Sequence, residues 1–282
     1  MQLNYDLIDK IIREALHEDI GDGDHTSLST IPADATGKAK LLVKENGIVA
    51  GVELAQSIFA LYDPSLQVEV FIEDGSPIKK GDIVLTVAGS SQSILATERL
   101  MLNFMQRMSG IATKARFLAD KISHTNCRLL DTRKTTPNIR YMEKWAVRIG
   151  GAYNHRYALY DMIMIKDNHV DYAGGIKKAI EATHRYLKEK NLDLKIELEV
   201  RNFDELKEAL EVGGMDRIML DNFTPENIKE ALKLIPDHIE TEASGGITEE
   251  TIEAYAETGV DFISVGALTH SIMSLDLSLK AV

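Results

Sequence analysis

Along residues 5–18 the apolar positions Leu7, Ile8, Ile11, Ile12 and Leu16 recur three and four apart, the one-sided stripe of an amphipathic helix. The acidic, glycine-punctuated EDIGDGDHTS that follows breaks this period and predicts a structural loop. Its aspartates lack the ligand spacing and the closing glutamate of an EF-hand. From Thr36 to Gly89 the period shortens to strand-like runs, GKAKLLV, QVEVFIE and DIVLTVAG, separated by turn signals at Glu45-Asn46-Gly47, Gly75-Ser76-Pro77 and Lys80-Gly81-Asp82. Between them VAGVELAQSIFALY predicts a helix. The mix predicts a small α+β domain with an antiparallel sheet. A long helical tract from about Ser93 to Ser123, broken near Ser109-Gly110, bridges to the second half.

From Arg128 onward the pattern alternates. RLLDT, DMIMIK, LKIELEV, DRIMLDN, HIETEAS and DFISVGA read as strands, separated by helical segments such as YAGGIKKAIEATHRYLKEK, DELKEALEVG, ENIKEALKLI and EETIEAYAETG. Repeated βα units predict a parallel sheet, and their number suits a closed or nearly closed α/β barrel better than a Rossmann sheet. No GxGxxG follows a strand and there is no GxxxxGK[ST], so the two common nucleotide loops are absent.

Residues i and i+2 of a strand share a face. Lys195, Glu197 and Glu199 therefore point one way, and Ile196, Leu198 and Val200 the other. The apolar set must meet the helices, which leaves the charged set facing the interior. The same parity groups Arg217, Met219 and Asp221, and Glu240, Glu242 and Ser244. A barrel interior is ordinarily filled by branched apolar side chains; this one is ionic. Buried charges must be paired, hydrated or committed to a ligand. Structural pairing, with Lys195 and Arg217 neutralising Glu197 and Glu240, is expected at the deeper positions. Glu199 and Asp221, at the C-terminal ends of successive strands, point instead to a metal or a cationic transition state. Carboxylates are hard ligands suited to Mg²⁺ bridging to phosphates. Ser244, Gly245 and Gly246 after one late strand and Gly266 within the next predict a phosphate cradle, with a helix N-terminus adding partial positive charge.

Charge changes the picture at one place. The 282 residues carry a net charge of -12, yet Asp131 to His169 collects Arg133, Lys134, Arg140, Lys144, Arg148, His155, Arg156 and Lys166. A charge run is commonly a solvated face, but Lys166 ends the apolar run from Met162 to Ile165, and Arg133 and Lys134 follow Leu129 and Leu130. Strand ends are where α/β folds bind ligands, so an anion is expected here. The acidic balance argues against nucleic acid, no stretch is apolar enough to span a membrane, and the N-terminus lacks the layout of a signal peptide. A single cysteine, Cys127, fits the cytosol and reads as an inert packed thiol.

The stretches EDIGDGDHTS, KENGIVAG, ERLMLNFMQRMSGIAT, DTRKTTP, KWAVRIGGAYNHR, MIKDNH, IELEV, IMLDNF, EASGGI and SVGALTHS run almost the length of the chain. Together they resemble the quinolinate phosphoribosyltransferases, carboxylating nicotinate-nucleotide pyrophosphorylases of de novo NAD biosynthesis. DTRKT, GGAYNHR and IKDNH in that order are the most specific. The resemblance implies an N-terminal α+β open sandwich over residues 1–110, with the tail 272–282 packed on it, and an incomplete TIM-like barrel of the type II phosphoribosyltransferases over 111–271. It implies pentosyl transfer from phosphoribosyl pyrophosphate to quinolinate with loss of CO₂, requiring Mg²⁺.

Carried onto this sequence, the family's quinolinate site falls on Arg133, His155, Arg156 and Lys166, with Arg99 supplied by the neighbouring subunit of a homodimer or an assembly of dimers. Lys134 matches a catalytic lysine contacting phosphoribosyl pyrophosphate. Glu199 and Asp221 match the acidic catalytic and metal-side pair. Ser244, Gly245, Gly246 and Gly266 match the phosphate cradle, and His270 a further active-site histidine. The stripe Arg140, Lys144 and Arg148, four apart on a helix, is expected to play a supporting or interface role. A paralogous barrel protein acting on or sensing another anion would share this scaffold.

Overall fold

The structure, a computed structural model, describes residues 3–282. In chain order its first elements are α1 (Tyr5–Ile20), α2 (His25–Thr30), β1 (Thr36–Val43), β2 (Gly47–Ile48), α3 (Val52–Tyr62), β3 (Gln67–Val70) and β4 (Pro77–Ile78). There follow β5 (Ile83–Ser90), α4 (Ser91–Lys121), β6 (Arg128–Leu130), α5 (Arg140–Ile149), β7 (Ile163–Ile165), α6 (Asp167–Ala173), α7 (Ile176–Lys190) and β8 (Ile196–Val200). The last are α8 (Phe203–Val212), β9 (Arg217–Asp221), α9 (Pro225–Leu232), β10 (Glu240–Ser244), α10 (Ile252–Ala256), β11 (Phe262–Ser264), α11 (Ala267–His270) and β12 (Leu277–Ala281). Among the described residues no helix is long and apolar enough to cross a membrane.

The chain forms two compact units. One gathers everything up to Phe117 with Lys134–Ala152 and Ala267–Val282; the other holds Leu118–Arg133 and Tyr153–Gly266. The basic stretch from Asp131 to His169 is thus shared between them, and the expected boundary after residue 110 falls inside α4.

In the first unit α1 starts where the Asn4 side chain accepts the Leu7 N–H at 3.1 Å and stops at Gly21, whose φ is 56°. Its Ile8 and Ile12 are buried, and it packs on α3, which buries Leu54, Ala55, Ile58 and Phe59. The loop expected after α1 contains a helix instead: Asp24 accepts the Ser27 N–H at 3.1 Å and starts α2. Six residues with a single exposed apolar side chain, Leu28, are too few for periodicity to register, so the capping aspartate is the only sequence signal. The sheet runs β12-β1-β5-β3, antiparallel throughout, and β2 pairs with β4. The C-terminal tail supplies its edge strand, Leu279 lying opposite Leu41.

Helix α4 is continuous through the expected break at Ser109-Gly110. The Ser109 hydroxyl donates to the Ala50 carbonyl at 3.2 Å, and a Cβ on Gly110 would lie 2.2 Å from the Met273 carbonyl oxygen. Small residues sit here because other chain segments press against the helix, not because the helix ends.

The second unit is a six-stranded parallel sheet ordered β6-β11-β10-β9-β8-β7. Strands β7 to β11 lie beside one another in sequence order, and β11 then returns to pair with β6. First and last strands being neighbours is the signature of barrel curvature, and the barrel is open between β6 and β7. The expected helix over 172–190 divides at Gly174 and Gly175, with φ of 82° and 124°, into the end of α6 and α7.

Candidate active site

Register fixes which side chains face the interior. Glu197 pairs with Arg217 and Arg217 with Glu240; Glu199 pairs with Met219 and Met219 with Glu242. Directly opposed residues share a face, so the expected ionic interior is present, and Glu197 and Glu242 are fully buried. Arg217 lies 3.0 Å from Glu240 and 3.1 Å from Glu242, its guanidinium 4.0 Å above the Phe262 ring, and Lys195 reaches Glu240 at 3.3 Å. The expected neutralisation of Glu240 is therefore found. Glu197 takes another partner: His155 Nε2 lies 2.9 Å from its Oε2 and 3.4 Å from Glu242. Burial, then the Glu242 charge, lift Glu197 to about 6. Burial opposes a charge on His155, but the two carboxylates outweigh it and raise the imidazole to about 9.

His155 is also tied to the chain around it. Its Nδ1 accepts the Arg156 N–H at 2.7 Å, a bond that only the neutral ring makes and that therefore opposes the charge favoured by the two carboxylates. Asp131, fully buried just past β6, accepts the His155 N–H at 2.8 Å and the Asn154 side-chain N–H at 2.7 Å. Sequence reasoning missed Asp131 and Glu242 as partners of His155, although strand parity had already placed Glu242 inside. Arg156 Nη1 donates to the Met162 carbonyl at 3.2 Å, while its buried Nε has no hydrogen-bond acceptor among the described residues. Burial, and then the neighbouring Arg133 cation, hold the Arg156 guanidinium below its ordinary range. Two mutually repelling guanidiniums of this kind are a site that gains by accepting an anion.

The strand ends carry the rest. Ile165 lies opposite Leu198, so the next residues, Lys166 and Glu199, meet across β7 and β8, with Nζ 2.7 Å from Oε2. Asp221, ending β9, accepts the Ser244 hydroxyl and the Asn222 amide, each at 2.6 Å. Asn222 takes a left-handed conformation, φ 58°, which turns its backbone N–H onto the Ser244 carbonyl at 2.9 Å. At Gly245, φ 91°, a Cβ would lie 2.2 Å from the Asn222 side chain, so this turn admits only glycine. Gly246 is exposed beside it, and Gly266 sits between β11 and α11. The helices after these turns have only five and four residues, so the expected helix-terminus charge is weak.

The donor set suits a hard cation. Lys166 takes one oxygen of Glu199 and leaves the other, and each Asp221 oxygen retains a second lone-pair direction. The deeper trio His155, Glu197 and Glu242 also has its ligand atoms within 4.8 Å of one another, but Arg217 already supplies a positive charge there.

Arg99, Lys134 and His270 belong to the other unit. Arg99 is exposed on α4, and Lys134 is exposed on the loop before α5. His270 ends α11 and pairs its Nδ1 with the Ser271 hydroxyl at 2.6 Å. The stripe Arg140, Lys144 and Arg148 does lie on α5, with Lys144 only 1% exposed, Arg140 half-buried and Arg148 exposed. Cys127 is buried, which pushes its thiol up to about 12, in keeping with an inert packed side chain.

Two domain profiles match the chain: Quinolinate phosphoribosyl transferase, N-terminal domain, over residues 24–109, and Quinolinate phosphoribosyl transferase, C-terminal domain, over 111–280. The chain is 49% identical to the chloroplastic nicotinate-nucleotide pyrophosphorylase [carboxylating] of Arabidopsis thaliana, covering 98% of this chain and 83% of that one. It is 41% identical to the probable nicotinate-nucleotide pyrophosphorylase [carboxylating] of Bacillus subtilis, covering 98% and 94%. The crystal structure of NadC from Streptococcus pyogenes superposes with a TM-score of 0.93 at 38% identity, covering 99% of this chain and 98% of that one. With both halves matched in order, and relatives 49% and 41% identical over 98% of the chain, the chain belongs to the quinolinate phosphoribosyl transferase family.

Proposed function

We propose that this protein transfers the phosphoribosyl group of phosphoribosyl pyrophosphate to the ring nitrogen of quinolinate and decarboxylates the adduct, giving nicotinate mononucleotide, pyrophosphate and CO₂. The observation that carries the reading is the half-buried Arg156 guanidinium beside Arg133, its shielded Nε without an acceptor among the described residues, with Lys166 at the end of β7. A planar dicarboxylate relieves their repulsion and is oriented by the guanidinium forks.

In this reading Arg133, Arg156 and Lys166 hold the pyridine carboxylates, and His155 acts by fixing the Arg156 backbone through Nδ1. Arg99 joins them from a second subunit of a homodimer. Lys134, Ser244, Gly245, Gly246, Gly266 and His270 take the phosphoribosyl donor. The N–C1 bond forms as the C1–O bond to pyrophosphate breaks, its electron pair leaving with pyrophosphate. Positive charge then develops at C1 and the ribose ring oxygen, and the Glu199 and Asp221 carboxylates stabilise it. The quaternised ring nitrogen next draws electron density from the 2-carboxylate. CO₂ departs, and the electron pair left on carbon takes up a proton from water.

The Lys166–Glu199 pair is 43% exposed on the lysine side, so it is weakly held and Lys166 can turn to an arriving carboxylate. Glu199 and Asp221 are the residues that would hold Mg²⁺, which when bound supplies positive charge to the pyrophosphate oxygens. The single cysteine is the ground for placing the protein in the cytosol. The test is a product assay in which quinolinate, phosphoribosyl pyrophosphate and Mg²⁺ yield nicotinate mononucleotide. Product from nicotinate and none from quinolinate overturns the substrate.

A further inference from the structure

Arg107, on α4, makes contacts that the proposed chemistry does not use. Its Nε and Nη2 lie 2.7 and 2.6 Å from Glu143 Oε1, and Nη2 also donates to Thr136 Oγ1 at 2.9 Å and to the Thr269 carbonyl at 3.1 Å. The other oxygen of Glu143, a residue of α5 whose side chain is 1% exposed, accepts the Thr136 N–H at 3.1 Å. The Thr269 hydroxyl closes the circuit by donating to the Lys134 carbonyl at 2.8 Å. Arg140 adds a bond from Nε to Thr135 Oγ1 at 2.9 Å. Residues 134, 135 and 136 are thus each held by a named bond, and the same guanidinium holds the residue before His270. All of these groups lie in one compact unit.

A salt bridge made only for stability needs one partner. This one spreads a planar fork over two segments far apart in sequence, the loop carrying Lys134 and the short α11 carrying His270, which the Thr269 hydroxyl also joins directly. We infer that the Arg107–Glu143 pair is a positioning device for the phosphoribosyl donor, setting the Lys134 and His270 segments in register with each other. The inference rests on the reading that Lys134 and His270 contact that donor. Arg107 is a positioning residue, since it acts through the backbone of its neighbours.

The experiment uses the full-length protein with Mg²⁺ and Arg107→Lys, which keeps a charge beside Glu143 but replaces the fork by a point charge. The KM for phosphoribosyl pyrophosphate is expected to rise about tenfold, while the KM for quinolinate stays within about twofold. Calorimetric titration with phosphoribosyl pyrophosphate alone is expected to show the same weakening. Equal shifts in both KM values, or an unchanged donor KM in a folded variant, overturn the inference. Thr269→Val removes only the hydroxyl bound to the Lys134 carbonyl and carries the same test if Arg107→Lys does not fold: a higher donor KM supports the device, and a change confined to quinolinate overturns it. A wild-type protein that makes no nicotinate mononucleotide sinks the donor reading and this inference with it, whereas an active wild type with an unaffected Arg107→Lys sinks the inference alone.

Discussion

His155 sits between Glu197 and Glu242 with both ring nitrogens engaged, and this has a consequence that can be read from pH. Burial opposes its charge, yet the carboxylates raise the imidazole from its ordinary 6.5 to about 9. A group raised on folding stabilises fully below its unfolded value and loses that contribution as pH rises through the folded one. Wild type compared with His155→Gln is therefore expected to lose melting-temperature advantage as pH rises from about 6.5 towards 9, the Arg156 N–H, which only the neutral ring accepts, bringing that loss to the lower part of the range. A gap that stays constant over that range contradicts the ion-pair account. Strand parity was enough to put Glu197, Arg217 and Glu242 inside the barrel. Pairing His155 with Glu197 was not legible, because His155 comes from a loop whose path no period describes. Arg217 instead went to Glu240 and Glu242, one strand further along.

At the scale of elements, the amphipathic stripes and the six parallel strands were legible because period and polarity agree there. The failures share one cause: local rules read a glycine or a short polar run without its surroundings. Gly110 looked like a helix breaker and is a point of close approach. The two views make opposite predictions for Gly110→Ala. Propensity alone stabilises a mid-helix alanine by roughly 1 kcal/mol. Overpacking against the Met273 carbonyl costs about 1–3 kcal/mol. The second effect wins when the contact is backbone, so the variant is expected to melt several degrees lower, as measured by circular dichroism; a rise in melting temperature refutes the close approach.

For the whole molecule, the basic segment is divided between the two compact units. The chain leaves β6, passes Lys134–Ala152 through the other unit, and returns at Tyr153 before β7. Sequence order therefore listed its cations together, while the fold assigns Arg133, His155, Arg156 and Lys166 to one unit and Lys134, Arg140, Lys144 and Arg148 to the other. Assembly is tested by mixing two inactive variants, Arg99→Ala and Lys166→Ala. If Arg99 completes the site of a second subunit, random exchange regenerates one intact site in each hybrid dimer, about a quarter of wild-type activity; exchange without recovery refutes the shared site. The central claim is tested most directly by following quinolinate labelled with ¹⁴C in its 2-carboxyl group. Labelled CO₂ is expected to appear one for one with nicotinate mononucleotide, and only when phosphoribosyl pyrophosphate and Mg²⁺ are present. Release of the label without phosphoribosyl pyrophosphate, or no release from any mixture, contradicts the account.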